Sequence, residues 1–263
     1  MDQLKGGSLL ELLKKNPGLA GILFSNCGCI VIALMMIAII AVGFFGITND
    51  VSFGNTPGLN TGDKRTDITP SEWEQIFRAA EAKIGTPWEL SAAIVYNETG
   101  GGRNFGNCSY FPPAPSGGHV LTSNNGLRSV EDKSAFERIV EAIGYPKNEP
   151  VSCNPEGSNG GAMGYMQVMP REWESYSRKI IDAGVVTGMQ NPWNAQQAAY
   201  VAAMIIKCKA GGSYCSIEAV FDETETVIKK AAGNYYGGGP SSDYAARAYA
   251  RYLEYKAAGH ITE

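Results

Sequence analysis

Histidine is nearly missing from this chain: 263 residues contain two, His119 and His260, and no His-Glu-x-x-His occurs. A histidine-rich catalytic metal site therefore lacks its ligands, and no metal site is expected. Basic runs are missing too. None exceeds a pair such as Lys14-Lys15, and the net charge is −4 with a pI of about 5.4. That removes the cationic footprint needed to bind nucleic acid or to grip anionic lipid by charge. There is no internal repeat and no convincing alternating strand pattern, so a β-rich architecture is not expected. No Cys-x-x-Cys pair exists, which makes a four-cysteine zinc site the least favoured use of the cysteines. Finally, charge itself is absent between Asn16 and Asn49.

That uncharged stretch has a core, Cys29 to Ile47, of almost pure Ile, Val, Ala, Leu, Met, Phe and Gly. It is long enough for a bilayer, which takes about 20 residues. Flanking Lys5, Lys14 and Lys15 place the N-terminus on the cytoplasmic side. The expected organisation is a cytoplasmic tail (1–16), a single transmembrane helix (17–48) and an extracytoplasmic remainder. A cleaved signal peptide is the rival reading, disfavoured by the long apolar run and its poor small-residue exit at Phe44-Phe45-Gly46-Ile47. Cys27 and Cys29 lie at the start of the run, the wrong side for a lipoprotein anchor, and read as small apolar residues. Residues 49–66, rich in Gly, Asn, Thr and Asp, read as a flexible linker.

From residue 67 to 263 the signals are mostly helical. Thr69-Pro70-Ser71-Glu72 is a capping box ahead of Trp73, Ile76, Phe77 and Ala80 at helical spacing. Ser129 caps a helix carrying Phe136, Ile139, Val140 and Ile143. Pro170-Arg171-Glu172-Trp173 and Asn191-Pro192-Trp193-Asn194 open two more, the second (Ala195 to Lys207) rich in alanine and so suited to close packing. Two helices, near 218–232 and 241–258, close the chain. Segment 103–160 is an insertion, loop by composition except for the Ser129 helix. The four tryptophans fall in first helical turns, which favours a packing role. Cys108, Cys153, Cys208 and Cys215 suit two disulfides in an exported domain. Three pairings are possible; the expectation is Cys108–Cys153, stapling the insertion, and Cys208–Cys215, closing a glycine-rich turn. Free buried thiols are the alternative in a reducing compartment.

The stretch running from Thr86 to Gly102 (TPWELSAAIVYNETGGG) carries the strongest chemical hint. Thr86, Pro87 and Glu89 predict a capped start, and Leu90, Ala93, Ile94 and Asn97 an apolar face. Three glycines stop the helix, leaving Glu98 in its last turn. A helix C-terminus disfavours negative charge, so a partly desolvated carboxyl there holds its proton and suits a general acid. Solvated surface is the ordinary fate of such a glutamate. Two later glycine-rich segments change that: Gly161-Ala162-Met163-Gly164-Tyr165-Met166-Gln167 and Gly233-Asn234-Tyr235-Tyr236-Gly237-Gly238-Gly239. Each sets polar or aromatic groups among glycines, where a bulky ligand can approach the backbone.

Together, "GTPWELSAAIVYNETGGG", "GAMGYMQVMPREW" and "NPWNAQQAAYVAA", over roughly residues 67–260, resemble the lytic transglycosylases of the lysozyme-like superfamily. The resemblance implies a lysozyme-like helical domain with Glu98 as the catalytic acid/base. It places Gln167 along a sugar groove, with Met163, Gly164 and Met166 shaping the same wall. Thr99 keeps the hydroxyl of the serine usual after the glutamate. The family's Tyr-Asn pair falls on Tyr235-Tyr236, with a tyrosine in place of asparagine, beside Asn234. No cofactor is implied. Glu98 would protonate the glycosidic oxygen between N-acetylmuramic acid and N-acetylglucosamine in peptidoglycan. It would then take a proton from the sugar's 6-hydroxyl to give a 1,6-anhydro end, with the N-acetyl group in place of a second carboxylate. Tyr235 would hydrogen-bond near Glu98 or the N-acetyl group. Expected partners are glycan strands, the membrane through the N-terminal helix, and a secretion, conjugation or division machinery. A lysozyme-like hydrolase and a non-catalytic wall-binding scaffold are the alternatives.

Overall fold

Local capping signals define where most helices begin. In a computed structural model, which describes residues 67–124, 126–153 and 160–262, Thr69 accepts from the Glu72 amide while the Glu72 carboxylate accepts from the Thr69 amide. This reciprocal pair opens α1, Pro70–Ile84. The described residues hold six further α-helices: α2 (Trp88–Thr99), α3 (Val130–Ile143), α4 (Pro170–Asp182), α5 (Ala195–Ala210), α6 (Glu225–Tyr236) and α7 (Asp243–Ala258). Ser129, Asn194 and Ser242 cap α3, α5 and α7 with their side chains. Among the described residues there are isolated β-bridges but no strands, so the protein is mostly α-helical. No described helix is long and apolar enough to cross a membrane. The expected tail, transmembrane helix and linker (1–66) lie outside the described residues.

The centre of the fold is α5. Its alanines let neighbouring helices approach closely, and every residue from Ala198 to Lys207 is buried. It packs against α1, α4 and α6, while α7 lies across α2 and α6. Lys207 is the odd member of this core. Its ammonium donates to the carbonyl oxygens of Ile84 at 2.6 Å and Ile217 at 2.9 Å. Those bonds compensate part of the cost of burying a cation, and burial pushes its pKa down.

Three expectations need correction. Thr86 does not cap α2: its buried hydroxyl donates to the Ala203 carbonyl at 2.7 Å, an interhelical partner that outcompetes the local one. The helix starts at Trp88, with Pro87 at the cap and no side-chain cap bond, so Glu89 completes no capping box. Nor is α2 apolar on one side only. Leu90 through Tyr96 are all buried, because α1, α5, α6 and α7 surround the helix. Finally, the helix placed near 218–232 runs from Glu225 to Tyr236. Residues 218–224 are irregular, and Asn234, Tyr235 and Tyr236 belong to the last helical turn.

All four tryptophans are buried, as their positions suggested. Two also fix the chain beside the candidate site: the Trp73 indole donates to the Gly101 carbonyl at 2.9 Å, and that of Trp173 to the Gln190 carbonyl at 2.9 Å. Among the described residues the insertion forms no regular sheet. Cys108 and Val151 exchange backbone hydrogen bonds at 3.1 and 2.8 Å, and Val151 bridges onward to Met163. The Cys108–Cys153 and Cys208–Cys215 disulfides are both present, the first closing this arrangement.

Candidate active site

Glu98 sits where the sequence put it, in the final turn of α2. Gly100, Gly101 and Gly102 follow with φ of 61°, 75° and 87°, all left-handed. Gly102 is also required by packing: a Cβ there would lie 2.7 Å from the Tyr165 ring. The turn is therefore tight, and no basic residue occupies the end of α2 to balance the carboxylate. Glu98 is partly buried. Burial raises its pKa from 4.5 to about 7, against the opposing effect of a hydrogen bond from Tyr244. The carboxyl is thus poised to exchange a proton near neutral pH.

The resemblance implies a Tyr235 hydrogen bond near Glu98 or the N-acetyl group; the hydroxyl that donates to Glu98 Oε1, at 2.6 Å, is that of Tyr244 in the first turn of α7. Tyr235 points elsewhere, donating to the Met166 carbonyl at 2.6 Å. That carbonyl precedes Gln167, whose φ of 48° makes it the only non-glycine in the left-handed region among the described residues. Strain of this kind persists where surrounding structure holds it, and here the Tyr235 bond and the Gln167 side chain do so. The Gln167 amide nitrogen donates to the Gly164 carbonyl at 2.9 Å, which holds the side chain at the groove wall.

Glu98, Gln167, Asn234, Tyr235 and Tyr236 all line one groove of about 630 Å³, a size suited to a few sugar rings. The other residues expected at the sugar wall lie behind it. Met163 and Met166 are fully buried and pack as core side chains. Gly164 is needed because a Cβ would fall 2.0 Å from the Pro192 carbonyl oxygen. Thr99 is buried; its hydroxyl accepts from the Gly102 amide at 2.9 Å and lies 3.0 Å from the carbonyls of Val95 and Tyr165. These four shape the wall without facing it. Asn234 reaches the groove but spends its amide on the Lys209 carbonyl at 2.9 Å, satisfying an orphan at the end of α5.

Three features went unread in the sequence. Tyr244 is one. The second is the stacking of Tyr236, a residue the resemblance already placed at the site, on Tyr244, with centroids 4.6 Å apart and an interplanar angle of 4°. The third is a second groove carboxylate, Glu172, in the first turn of α4, ion-paired with Lys209 at 2.7 Å. No motif linked it to Glu98. Near the insertion, Cys108, His119 and Cys153 bring potential ligand atoms within 4.8 Å of one another. The two sulfurs are joined in a disulfide, which offers no thiolate to a metal.

The Tyr244 contact makes a sharp prediction. Because the hydroxyl stabilises ionised Glu98, Tyr244→Phe should raise the carboxyl's pKa further. The alkaline limb of activity then moves to higher pH, measurable in a pH profile of kcat/KM. An unmoved or acid-shifted limb would mean Tyr244 does not control this proton.

The comparisons leave the family open. The chain matches no protein-family model, no curated protein and no solved structure. What it does rests on its own residues.

Proposed function

We propose that this protein is a peptidoglycan lytic transglycosylase of lysozyme-like fold, held at the membrane by residues 17–48 with its catalytic domain outside. One observation carries the reading: a partly buried carboxyl with a pKa of about 7 lies on a groove lined by Gln167, Tyr235 and Tyr236. A neutral carboxyl in such a place is a general acid. The Tyr236 face, braced from behind by Tyr244, offers a flat surface for a sugar ring.

In this mechanism Glu98 gives its proton to the glycosidic oxygen between N-acetylmuramic acid and N-acetylglucosamine. The C1–O bond breaks, and the muramic N-acetyl group supports the developing cation. Glu98, now a carboxylate with Tyr244 donating to it, removes the proton of the muramic 6-hydroxyl as that oxygen bonds to C1. The product is a 1,6-anhydro end, the acid is restored, and no water is consumed. Tyr235 and Gln167 keep the wall rigid while the strand lies along it. The activity would suit local wall remodelling or opening a path for a secretion or division apparatus.

Glu172 favours one second reading. A groove with two carboxylates is also the arrangement of a hydrolase, in which the second activates water or attacks the sugar. The ion pair with Lys209 argues for a positioning role instead. Glu172→Gln should therefore leave cleavage of purified peptidoglycan within about tenfold of the parent. A loss of about a thousandfold, comparable to removing a general acid, would make Glu172 the hydrolase's second group.

A further inference from the structure

The Cys108–Cys153 disulfide stands at the edge of the groove with a polar side chain against each sulfur. Cys153 is partly exposed and lines the groove, whereas Cys108 is fully buried. Both ring nitrogens of His119 lie 3.5 Å from Cys108 Sγ, so a nitrogen bearing hydrogen reaches that sulfur in either tautomer. Backbone pairing holds the ring there: the Ser109 amide donates to the His119 carbonyl at 3.2 Å, and the Leu121 amide to the Ser109 carbonyl at 2.8 Å. Gly118 permits the close approach, since a Cβ there would fall 1.5 Å from the Asn107 carbonyl oxygen. On the groove side, Asn107 Oδ1 lies 2.8 Å from Cys153 Sγ. A disulfide sulfur has no hydrogen to give that acceptor and no charge to set against an imidazole. Both partners suit the dithiol form instead: a donor for a Cys108 thiolate and an acceptor for a Cys153 thiol. The Cys208–Cys215 pair also has a cation beside it, Lys179 Nζ at 3.3 Å from Cys215 Sγ, but neither of its sulfurs lines the groove.

We propose that Cys108–Cys153 is a thiol–disulfide exchange site, at which a dithiol partner reduces the bond and slackens one wall of the groove. Access assigns the two sulfurs. A thiolate of the dithiol attacks Cys153 Sγ, the S–S bond breaks, and the electron pair leaves on Cys108 Sγ. His119 donates a hydrogen bond to that thiolate and, as imidazolium, gives it a proton. The dithiol's second thiolate then attacks its own sulfur in the mixed disulfide. That closes the partner's disulfide and releases Cys153, which takes a proton and donates it to Asn107. The partner loses two electrons and the Cys108–Cys153 pair gains them. The effect reaches the groove through a short chain of contacts. Val151 bridges to both Cys108 and Met163, Met163 bridges to Val168, and the Ser152 amide donates to the Ala162 carbonyl at 2.9 Å. Ser152, Ala162 and Val168 line the groove beside Cys153, so cutting the bond removes a covalent tie between this wall and the buried Cys108. The exchange step is independent of what the groove cuts; the expected loss of cleavage rests on the transglycosylase reading.

The test uses the full-length protein in detergent. Glutathione, a monothiol, should at low conversion leave its mixed disulfide on Cys153, read by peptide mass mapping after alkylation. A mixed disulfide on Cys108 overturns the assignment of the sulfurs. With dithiothreitol, His119→Phe keeps a ring against the sulfur but should slow reduction of the pair about tenfold, the size of one charge-assisted hydrogen bond. The oxidised variant should keep the parent's thermal midpoint and cleavage rate. An unchanged rate of reduction removes His119 from the exchange. The reduced parent should cut peptidoglycan at least about tenfold more slowly, because its groove wall is displaced, and recover on treatment with oxidised glutathione. The C208S/C215S variant should show the same response, and the C108S/C153S variant none. Reduction that leaves cleavage unchanged, or that unfolds the protein irreversibly, overturns control of the groove. A protein that cuts no strand in either state overturns the transglycosylase reading, and the glutathione and dithiothreitol measurements still decide the exchange site.

Discussion

Glu98→Gln is expected to abolish glycan cleavage, by at least about a thousandfold, while strand binding persists. Glutamine keeps the shape and can still accept the Tyr244 hydroxyl, but it cannot supply a proton. The same substitution should make the protein more stable at alkaline pH. The Glu98 pKa is raised from 4.5 to about 7, so between those values the folded protein holds a proton that the unfolded chain releases. Stability from this group is therefore complete below about pH 4.5 and is lost as pH rises through 7. At about 1.4 kcal/mol per unit, the ionised parent forfeits up to about 3 kcal/mol at pH 8, and the glutamine variant avoids that loss. Urea titrations should show the variant more stable at pH 8 and equal to the parent at pH 4. A variant that still cuts would remove Glu98 from the chemistry and favour neither enzymatic reading. One that loses cleavage but retains binding argues against a scaffold that merely inherited the fold.

The second large effect is on stability. The Cys108–Cys153 disulfide closes a loop with a sequence separation of 45, against 7 for Cys208–Cys215. Loop-closure entropy then assigns about 4 kcal/mol to the first and about 2 kcal/mol to the second. Replacing both Cys108 and Cys153 with serine should lower the urea midpoint about twice as far as replacing Cys208 and Cys215. It should also reduce cleavage, because Cys153 lines the groove and Val151, two residues earlier, bridges to both Cys108 and Met163. Equal midpoints for the two double variants would mean the long loop is already restrained by its other contacts. Those include the bond from the Tyr110 hydroxyl to the Gly161 carbonyl at 3.1 Å, where any side chain at 161 would strike the tyrosine.

Legibility followed the range of the deciding interaction. The Thr69 and Ser129 caps, and the glycines that end α2, depend on neighbours a few residues away, and they could be read directly. Thr86 could not, because its partner, Ala203, is on another helix. The mostly helical class and the two disulfides were legible from patterning and cysteine placement. Glu98 was legible because its oddity is local: a carboxyl at a glycine-stopped helix end. Its burial and the Tyr244 bond depend on how α7 crosses α2, and the sequence carries no signal for that beyond a tyrosine in a capped first turn. Met163 and Met166, which the resemblance implies shape the groove wall, lie behind it in the core. The left-handed turn at Gln167 sends the polar side chain to the groove and leaves both methionines in the core. Glu172 is a first-turn acid, which the helix dipole favours, and only tertiary packing brings it into the groove.

The most direct test is mass analysis of the fragments that the full-length protein releases from purified peptidoglycan. A single acid/base working without water predicts muropeptides ending in 1,6-anhydro-N-acetylmuramic acid, one water lighter than the hydrolytic product. Fragments with ordinary reducing ends, or no fragments at all, would contradict it.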